Sequence, residues 1–142
     1  MAAAKMNVGE LRKFLREEFP QAFGDGDITI ESADGETCTV RQRYRDRMLR
    51  PGGTISGPTL MGLADCAMYI VLLSAIGPVG LAVTTNLSIN FLRKGPPRHD
   101  IMAAARLLKL GKRLAVGEVS LFSDASGDPI AHVTATYSIP DK

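Results

Sequence analysis

The sequence predicts an α+β fold in which a curved antiparallel β-sheet wraps around one long buried helix. The first sign is the run from Pro58 to Ile76, which is apolar almost all the way round. A helix with no polar face has to be buried. The second is a set of six stretches with strand patterning, two before that run and four after it. The third is turn chemistry at short intervals between the strands, which makes most neighbours antiparallel. A chain of 142 residues is one domain's worth and long enough for a real core.

The elements follow in order. Asn7 and Glu10 give a capping-box start to a helix over 8–19, and Pro20 supplies its stop. Leu11, Phe14, Leu15 and Phe19 share one stripe, with Arg12, Lys13, Arg16 and Glu17 elsewhere, so this amphipathic helix covers a surface. Gly24–Asp27 is a loop. Residues 1–26 thus form an N-terminal helix and loop, and 27–142 the sheet-and-helix core of the same domain. Strands over 27–33 and 36–46 are joined by Asp34-Gly35, a dipeptide that suits a two-residue hairpin turn. In the second strand Cys38, Val40, Gln42 and Tyr44 alternate with Arg41, Arg43 and Arg45, giving one packed face and one exposed face. Residues 50–58 form a turn-rich link, in which Gly57 reads as the helix cap and Pro58 as the first helical residue. Gly77-Pro78 ends the helix. Four strands follow, over 80–93, 99–110, 113–124 and 129–139. In the first, Leu81, Val83, Leu87, Ile89 and Phe91 alternate with Thr84, Asn86, Ser88 and Asn90.

Composition narrows the function classes. Apolar residues make up 45% and charged residues 23%, ordinary values for a globular protein. A net charge of +2 is too small to point to nucleic acid. Cys38 and Cys66 lie in apolar contexts without metal-ligand spacing, and read as small buried hydrophobes in a reducing compartment. Neither His99 nor His132 has a second ligand near it in sequence, so no metal is expected. The start is charged and amphipathic, unlike a signal region, and the apolar stretch at 66–76 is too short and interrupted to span a bilayer. The expectation is a cytoplasmic protein with no membrane partner.

Asp65 is the residue that carries chemistry, because it sits in the second turn of the oily helix. A carboxylate there is costly unless something hydrogen-bonds it or its pKa moves, and such acids mark functional sites. The alternative is an Asp held by a neighbouring hydroxyl in an ordinary core. Met61, Met68 and Tyr69 on the same helix are core side chains, or the wall of an adaptable apolar tunnel.

The string GGTISGPTLMGLADCA at 52–67, with TTNLSINFLRK at 84–94, LKLGKRLAVGEV at 108–119 and IAHVTATY at 130–137, resembles the hotdog-fold acyl-CoA thioesterases. The likeness is to the phenylacetate-pathway branch of the 4-hydroxybenzoyl-CoA thioesterase superfamily. The resemblance implies a hotdog fold, with Asp65 as nucleophile or general base toward a thioester carbonyl. It implies that the Gly57 N–H polarises that carbonyl and that Thr84 steadies the acid or the water. It places the strand residue on the facing subunit, so that a homodimer, assembled further into a tetramer, has its active site at the subunit interface. Arg93, Lys94, Arg98, Lys112 and Arg113 then fall in connectors that receive coenzyme A phosphates, with solvated loop cations as the alternative. Coenzyme A enters only as part of the substrate, and no cofactor is implied. Ser56 stands where the branch has histidine, and Arg50 where it has an amide. Ser56 is either a replacement hydrogen-bond donor or a turn residue, and Pro58 removes one N–H from the loop.

Elementary physics supports these roles. A helix N-terminus offers free N–H groups and a positive dipole end to an oxyanion. Asp65 lies two turns beyond Gly57, so both are expected to flank one substrate atom. Two other functions compete. A hydratase or dehydratase would want a histidine beside the acid in the helix-opening loop, where neither histidine lies. A non-catalytic acyl-CoA or acyl-chain binder would explain the missing histidine but gains nothing from a buried charge.

Overall fold

The computed structural model describes residues 4–141. Its first helix, α1 (Val8–Glu18), begins on the expected capping box. The Asn7 side chain accepts the Glu10 N–H at 2.8 Å, and the Glu10 carboxylate accepts the Asn7 N–H at 3.0 Å. Leu11 and Leu15 are fully buried. The helix ends at Glu18 because Phe19 leaves helical geometry (φ −135°, ψ 56°). Pro20 does more than stop it: with its fixed φ it opens a second short helix, α2 (Pro20–Phe23).

The first hairpin joins β1 (Ile28–Ala33) to β2 (Thr37–Gln42). Its turn lies one residue later than the sequence suggests. The Asp34 N–H donates to the Thr37 carbonyl, leaving Gly35 (φ 91°) and Glu36 at the centre. The Asp34 carboxylate accepts the N–H groups of Thr37 and Glu36, which hold its pKa below the usual value. β2 stops at Gln42 instead of residue 46, because the chain turns away to serve other partners. The Tyr44 N–H donates to Asp100, and the Arg45 guanidinium forks onto the buried Asp27 at 2.8 and 3.0 Å. The three arginines therefore do not form one exposed row. Arg41 binds Glu31, Asp100 and Asp124, Arg45 binds Asp27, and Arg43 alone is exposed.

The turn-rich link holds more order than expected. A 3₁₀ turn (Asp46–Met48) leads into a small hairpin of β3 (Leu49–Arg50) and β4 (Thr54–Ile55). Gly52 and Gly53 make its turn at φ 102° and 80°, values that favour glycine. The cap of the long helix α3 (Gly57–Ile76) is Ser56, not Gly57. The Ser56 Oγ accepts the Thr59 N–H at 3.3 Å, which puts Gly57 and Pro58 in the first two helical positions. At 20 residues α3 is, by length and composition, able to cross a membrane, so the expected exclusion by length does not hold. Here its apolar surface is used internally: Ala67, Met68, Ile70, Val71, Leu72 and Leu73 have no accessible surface.

The last four strands are β5 (Val83–Phe91), β6 (Ile101–Leu110), β7 (Leu114–Ser123) and β8 (Pro129–Ser138). Six strands form one antiparallel sheet in the order β1-β2-β6-β7-β8-β5, curved around α3. Its helix-facing residues include Ala103, Ala105, Ala115, Ala131 and Ala135, small side chains that let α3 approach closely. Gly117 takes this furthest. A Cβ there would lie 2.5 Å from the Met68 sulfur and 2.9 Å from the Arg106 carbonyl oxygen.

β5 is the sheet edge next to the site, and its register contains a surprise. Thr84 pairs with Tyr137 and Asn86 with Thr136, so Thr85 is an extra residue, a β-bulge. Beyond it Leu87, Ile89 and Phe91 share the helix side with Ala135, Val133 and Ala131, while Asn86, Ser88 and Asn90 face outward. Unbroken alternation would place Thr84 with the outward set. The bulge turns it toward α3 instead.

Candidate active site

Asp65 lies on α3, half-buried, and its two oxygens have different surroundings. Oδ1 accepts the Thr84 hydroxyl at 2.5 Å and the Tyr137 hydroxyl at 2.7 Å. The Tyr137 hydroxyl also lies 3.1 Å from the Asp65 carbonyl oxygen. Oδ2 has no hydrogen-bond partner among the described residues. Two hydroxyls thus fix the carboxylate through one oxygen and leave the other to face a substrate. Burial, assisted by the negative charge of Asp65, pushes the Tyr137 phenol well above its ordinary pKa, so it stays a donor. The Asp is therefore held by hydroxyls, as an ordinary core acid would be, yet it is not closed off.

It opens onto a cleft of about 720 Å³. One wall is α3, with Asp65, Cys66 and Tyr69; a second is segment 78–84; the third is α1 and its C-cap, with Phe14, Glu18 and Phe19. The Tyr69 hydroxyl ties the first two walls together by donating to the Gly80 carbonyl at 2.9 Å. Burial, with the Asp65 charge, pushes the Cys66 thiol up to about 12, which removes it as a thiolate nucleophile near neutral pH. Tyr69 is both core and cleft wall. Met68 is pure core, whereas Met61 is exposed and lies outside this cleft.

Gly57 stands apart from Asp65. Eight residues of helix separate them by about 12 Å, so on one chain they do not flank one substrate atom. The N-terminus of α3 nevertheless has one donor left over. The Ser56 N–H goes to the Met48 carbonyl, Pro58 has no N–H, and the Thr59 N–H is capped. Only the Gly57 N–H in that first turn has no partner among the described residues. The Ser56 hydroxyl is occupied by the cap and by Thr59 Oγ1 at 2.8 Å, which makes Ser56 a cap residue here. Arg50 is exposed in the small hairpin.

The expected cations do not converge either. Arg93, Lys94 and Arg98 lie in the β5–β6 connector, while Lys112 and Arg113 lie in the β6–β7 turn. The ten residues of β6 separate those connectors by about 30 Å. All five are exposed; Arg93 donates to the Pro129 carbonyl and Arg113 to Asp141. Thr84 also departs from expectation, because it reaches the Asp65 of its own chain, not that of a facing one. Each histidine lies beside one acid, His99 beside Asp124 and His132 beside Glu118, and neither lines the cleft. Among the described residues no three His, Cys, Asp or Glu side chains converge as a metal site.

Sequence reading missed Tyr137 and the α1 wall. Tyr137 had a signal, since period two puts it on the same side as Val133 and Ala135. Phe14 and Phe19 showed only as a packing stripe.

With this geometry in hand, the chain can be set beside known proteins. A sequence model described as Thioesterase superfamily matches residues 52–130. A Halobacterium salinarum protein provisionally named an esterase is 28% identical over 103 residues, 69% of this chain and 67% of that one. The crystal structure of a provisionally named thioesterase from Silicibacter sp. TM1040 is 43% identical, with 97% of this chain and 94% of that chain covered and a TM-score of 0.88. The E. coli PaaI protein from the phenylacetic acid degradation operon shares the fold, at 22% identity and a TM-score of 0.76 over 92% of this chain and 95% of that chain. This chain belongs to the thioesterase superfamily and has its hotdog fold. That membership supports thioester hydrolysis as the class of activity.

Proposed function

We infer that the protein is an acyl-CoA thioesterase whose active site is completed by a second copy of the chain. The observation that carries this reading is the Asp65 carboxylate, anchored through Oδ1 and free at Oδ2, at the head of an apolar cleft. In the general-base route a water oxygen attacks the thioester carbonyl carbon while its proton passes to Asp65 Oδ2. The oxyanion then collapses, the C–S bond breaks, and the thiolate leaves and takes up a proton. In the nucleophilic route Oδ2 itself attacks, and water releases the acyl group from the resulting anhydride. Thr84 and Tyr137 hold the carboxylate in either case.

The oxyanion donor is the Gly57 N–H, and it comes from the other copy. Gly57 packs near Phe91 at one end of β5, while Asp65 meets Thr84 near the other end. Among the described residues the outer edge of β5 has no partner strand, and Leu81, Val83, Phe91 and Leu92 are exposed on or beside it. An exposed strand edge is a template for pairing. Antiparallel pairing of two β5 edges about a two-fold axis would bring the Gly57 end of one copy to the Asp65 end of the other. It would likewise bring Arg93 and Lys94 of one copy toward Lys112 and Arg113 of its mate, giving the phosphates of coenzyme A both sets of cations. Pairs of such dimers would form the tetramer.

The test is thiol release from a panel of aliphatic and aryl acyl-CoAs. Wild type is expected to turn over part of the panel, with Asp65→Asn and Asp65→Ala slower by about 10²–10⁴-fold. Tight binding without thiol release would favour a non-catalytic acyl-CoA binder. Undiminished release in both Asp65 variants would exclude the assigned chemistry. Oxygen-18 incorporated into the protein during a single turnover would mark the nucleophilic route, with water attacking the aspartyl carbon of the anhydride.

A further inference from the structure

The reaction needs only Asp65, its two hydroxyl partners and an oxyanion donor, yet one wall of the cleft comes from α1 and its C-cap. That helix is firmly set. Leu11 and Leu15 are fully buried, the capping box fixes its start, and Arg12 donates to the Ile30 carbonyl at 3.0 Å. Its cleft-side residues therefore hold a fixed position relative to the acid. The Phe14 ring seals against segment 78–84, where a Cβ on Gly80 would lie 3.2 Å from it. Phe19 is the last cleft-lining ring of an aromatic row, backed outside the cleft by Phe23 at 5.6 Å between ring centres. Tyr137 stacks on Tyr69 at 6.2 Å between ring centres, and Tyr69 meets Phe19 edge-on at 6.3 Å. An acyl tail leaving the Asp65 end and following this row meets Phe19 two rings along.

Charge is arranged as one-sidedly as shape. Among the described residues of one chain, the cleft lining contains two carboxylates, Asp65 and Glu18, and no lysine, arginine or histidine. Glu18 lies close enough to Tyr69 that its charge adds to burial in raising the phenol pKa. A tail ending in an apolar group meets rings and aliphatic carbon. A tail ending in a carboxylate meets Glu18, with no cation of the same chain lining the cleft to offset it, and like charges brought together in a partly desolvated site repel.

We propose that α1 is the acyl-selecting wall of the enzyme: Phe19 limits the length of the tail, and Glu18 rejects tails that end in a carboxylate. The substrates are then apolar monocarboxylic acyl thioesters of limited length, and dicarboxylic acyl thioesters are refused. This rests on the thioesterase reading, so its test keeps the two apart.

Valeryl-CoA and glutaryl-CoA have the same carbon count and differ in the terminal carboxylate; octanoyl-CoA and palmitoyl-CoA differ in length. Thiol release from all four is measured for wild type, Glu18→Gln and Phe19→Ala, both changes falling on exposed side chains. Affinity for the same four is measured by calorimetry in the Asp65→Asn background with and without each change. Wild type is expected to prefer valeryl over glutaryl by tenfold or more in kcat/KM, roughly the effect of one unfavourable charge contact in a cleft. Glu18→Gln should shrink that ratio about fivefold, and Phe19→Ala should raise palmitoyl relative to octanoyl by a similar factor. Ratios that do not move in either variant, or a wild type indifferent to the terminal carboxylate, overturn the proposal. Binding ratios that move as stated in a protein releasing no thiol would sink the hydrolase reading and leave the selecting wall standing. Absence of binding to all four would remove both.

Discussion

Tyr137 shows at the scale of a residue what holds the acid in place. Its hydroxyl and that of Thr84 both donate to Oδ1 of Asp65, so the carboxylate cannot rotate without breaking two charge-assisted bonds. Hydrogen bonds to a charged group are worth about 1.5–3 kcal/mol. Tyr137→Phe is therefore expected to lower kcat by about tenfold or more while KM changes little, because the ring and its stack on Tyr69 remain. Steady-state kinetics check this, and an unchanged kcat would mean that Thr84 alone positions the acid. The candidacy of Asp65 was legible in the sequence because a lone carboxylate in an apolar helix is conspicuous. That of Tyr137 was not, since a tyrosine at the end of a strand has many uses, and only the fold sets it beside residue 65. Ser56 was open to two readings, replacement donor or turn residue. It stands in the place of a family histidine, and its oxygen also caps the helix.

Among the elements, α3 and β5 decide the site. Period-two patterning was enough to find all six long strands, yet it placed Thr84 on the wrong side of β5. An inserted residue such as Thr85 leaves no mark in a run of alternating residues, because the sequence on either side still alternates. The end of β2 was lost for a different reason: Tyr44 and Arg45 look like strand residues, but Asp100 and Asp27 draw their polar groups out of the ladder. α3 approaches the sheet closely because β7 carries Gly117 opposite Met68. Gly117→Ala would drive a methyl into both the Met68 side chain and the Arg106 carbonyl, and overpacking of this kind costs about 1–3 kcal/mol. Urea unfolding should show a lower midpoint with an unaltered slope. An unchanged midpoint would mean that α3 can slide away from β7 freely.

For the whole molecule, the distances within one chain matter most. Asp65 with Thr84, and Gly57, whose N–H has no partner among the described residues, lie about 12 Å apart along α3, with the loop cations at opposite ends of β6. The sequence named the parts but could not separate them, because residue spacing along a helix says nothing about which chain supplies each group. The most direct test mixes two inactive variants. Asp65→Asn removes the acid, and Gly57→Pro removes the N–H at a helical position whose preceding residue already has the extended backbone that proline requires (Ser56 φ −71°, ψ 151°). After subunit exchange of equal amounts, half the dimers are mixed and each holds one intact site, so thiol release should recover to about a quarter of the wild-type rate. A mixture that exchanges subunits yet stays as inactive as its components would contradict a site shared between two copies.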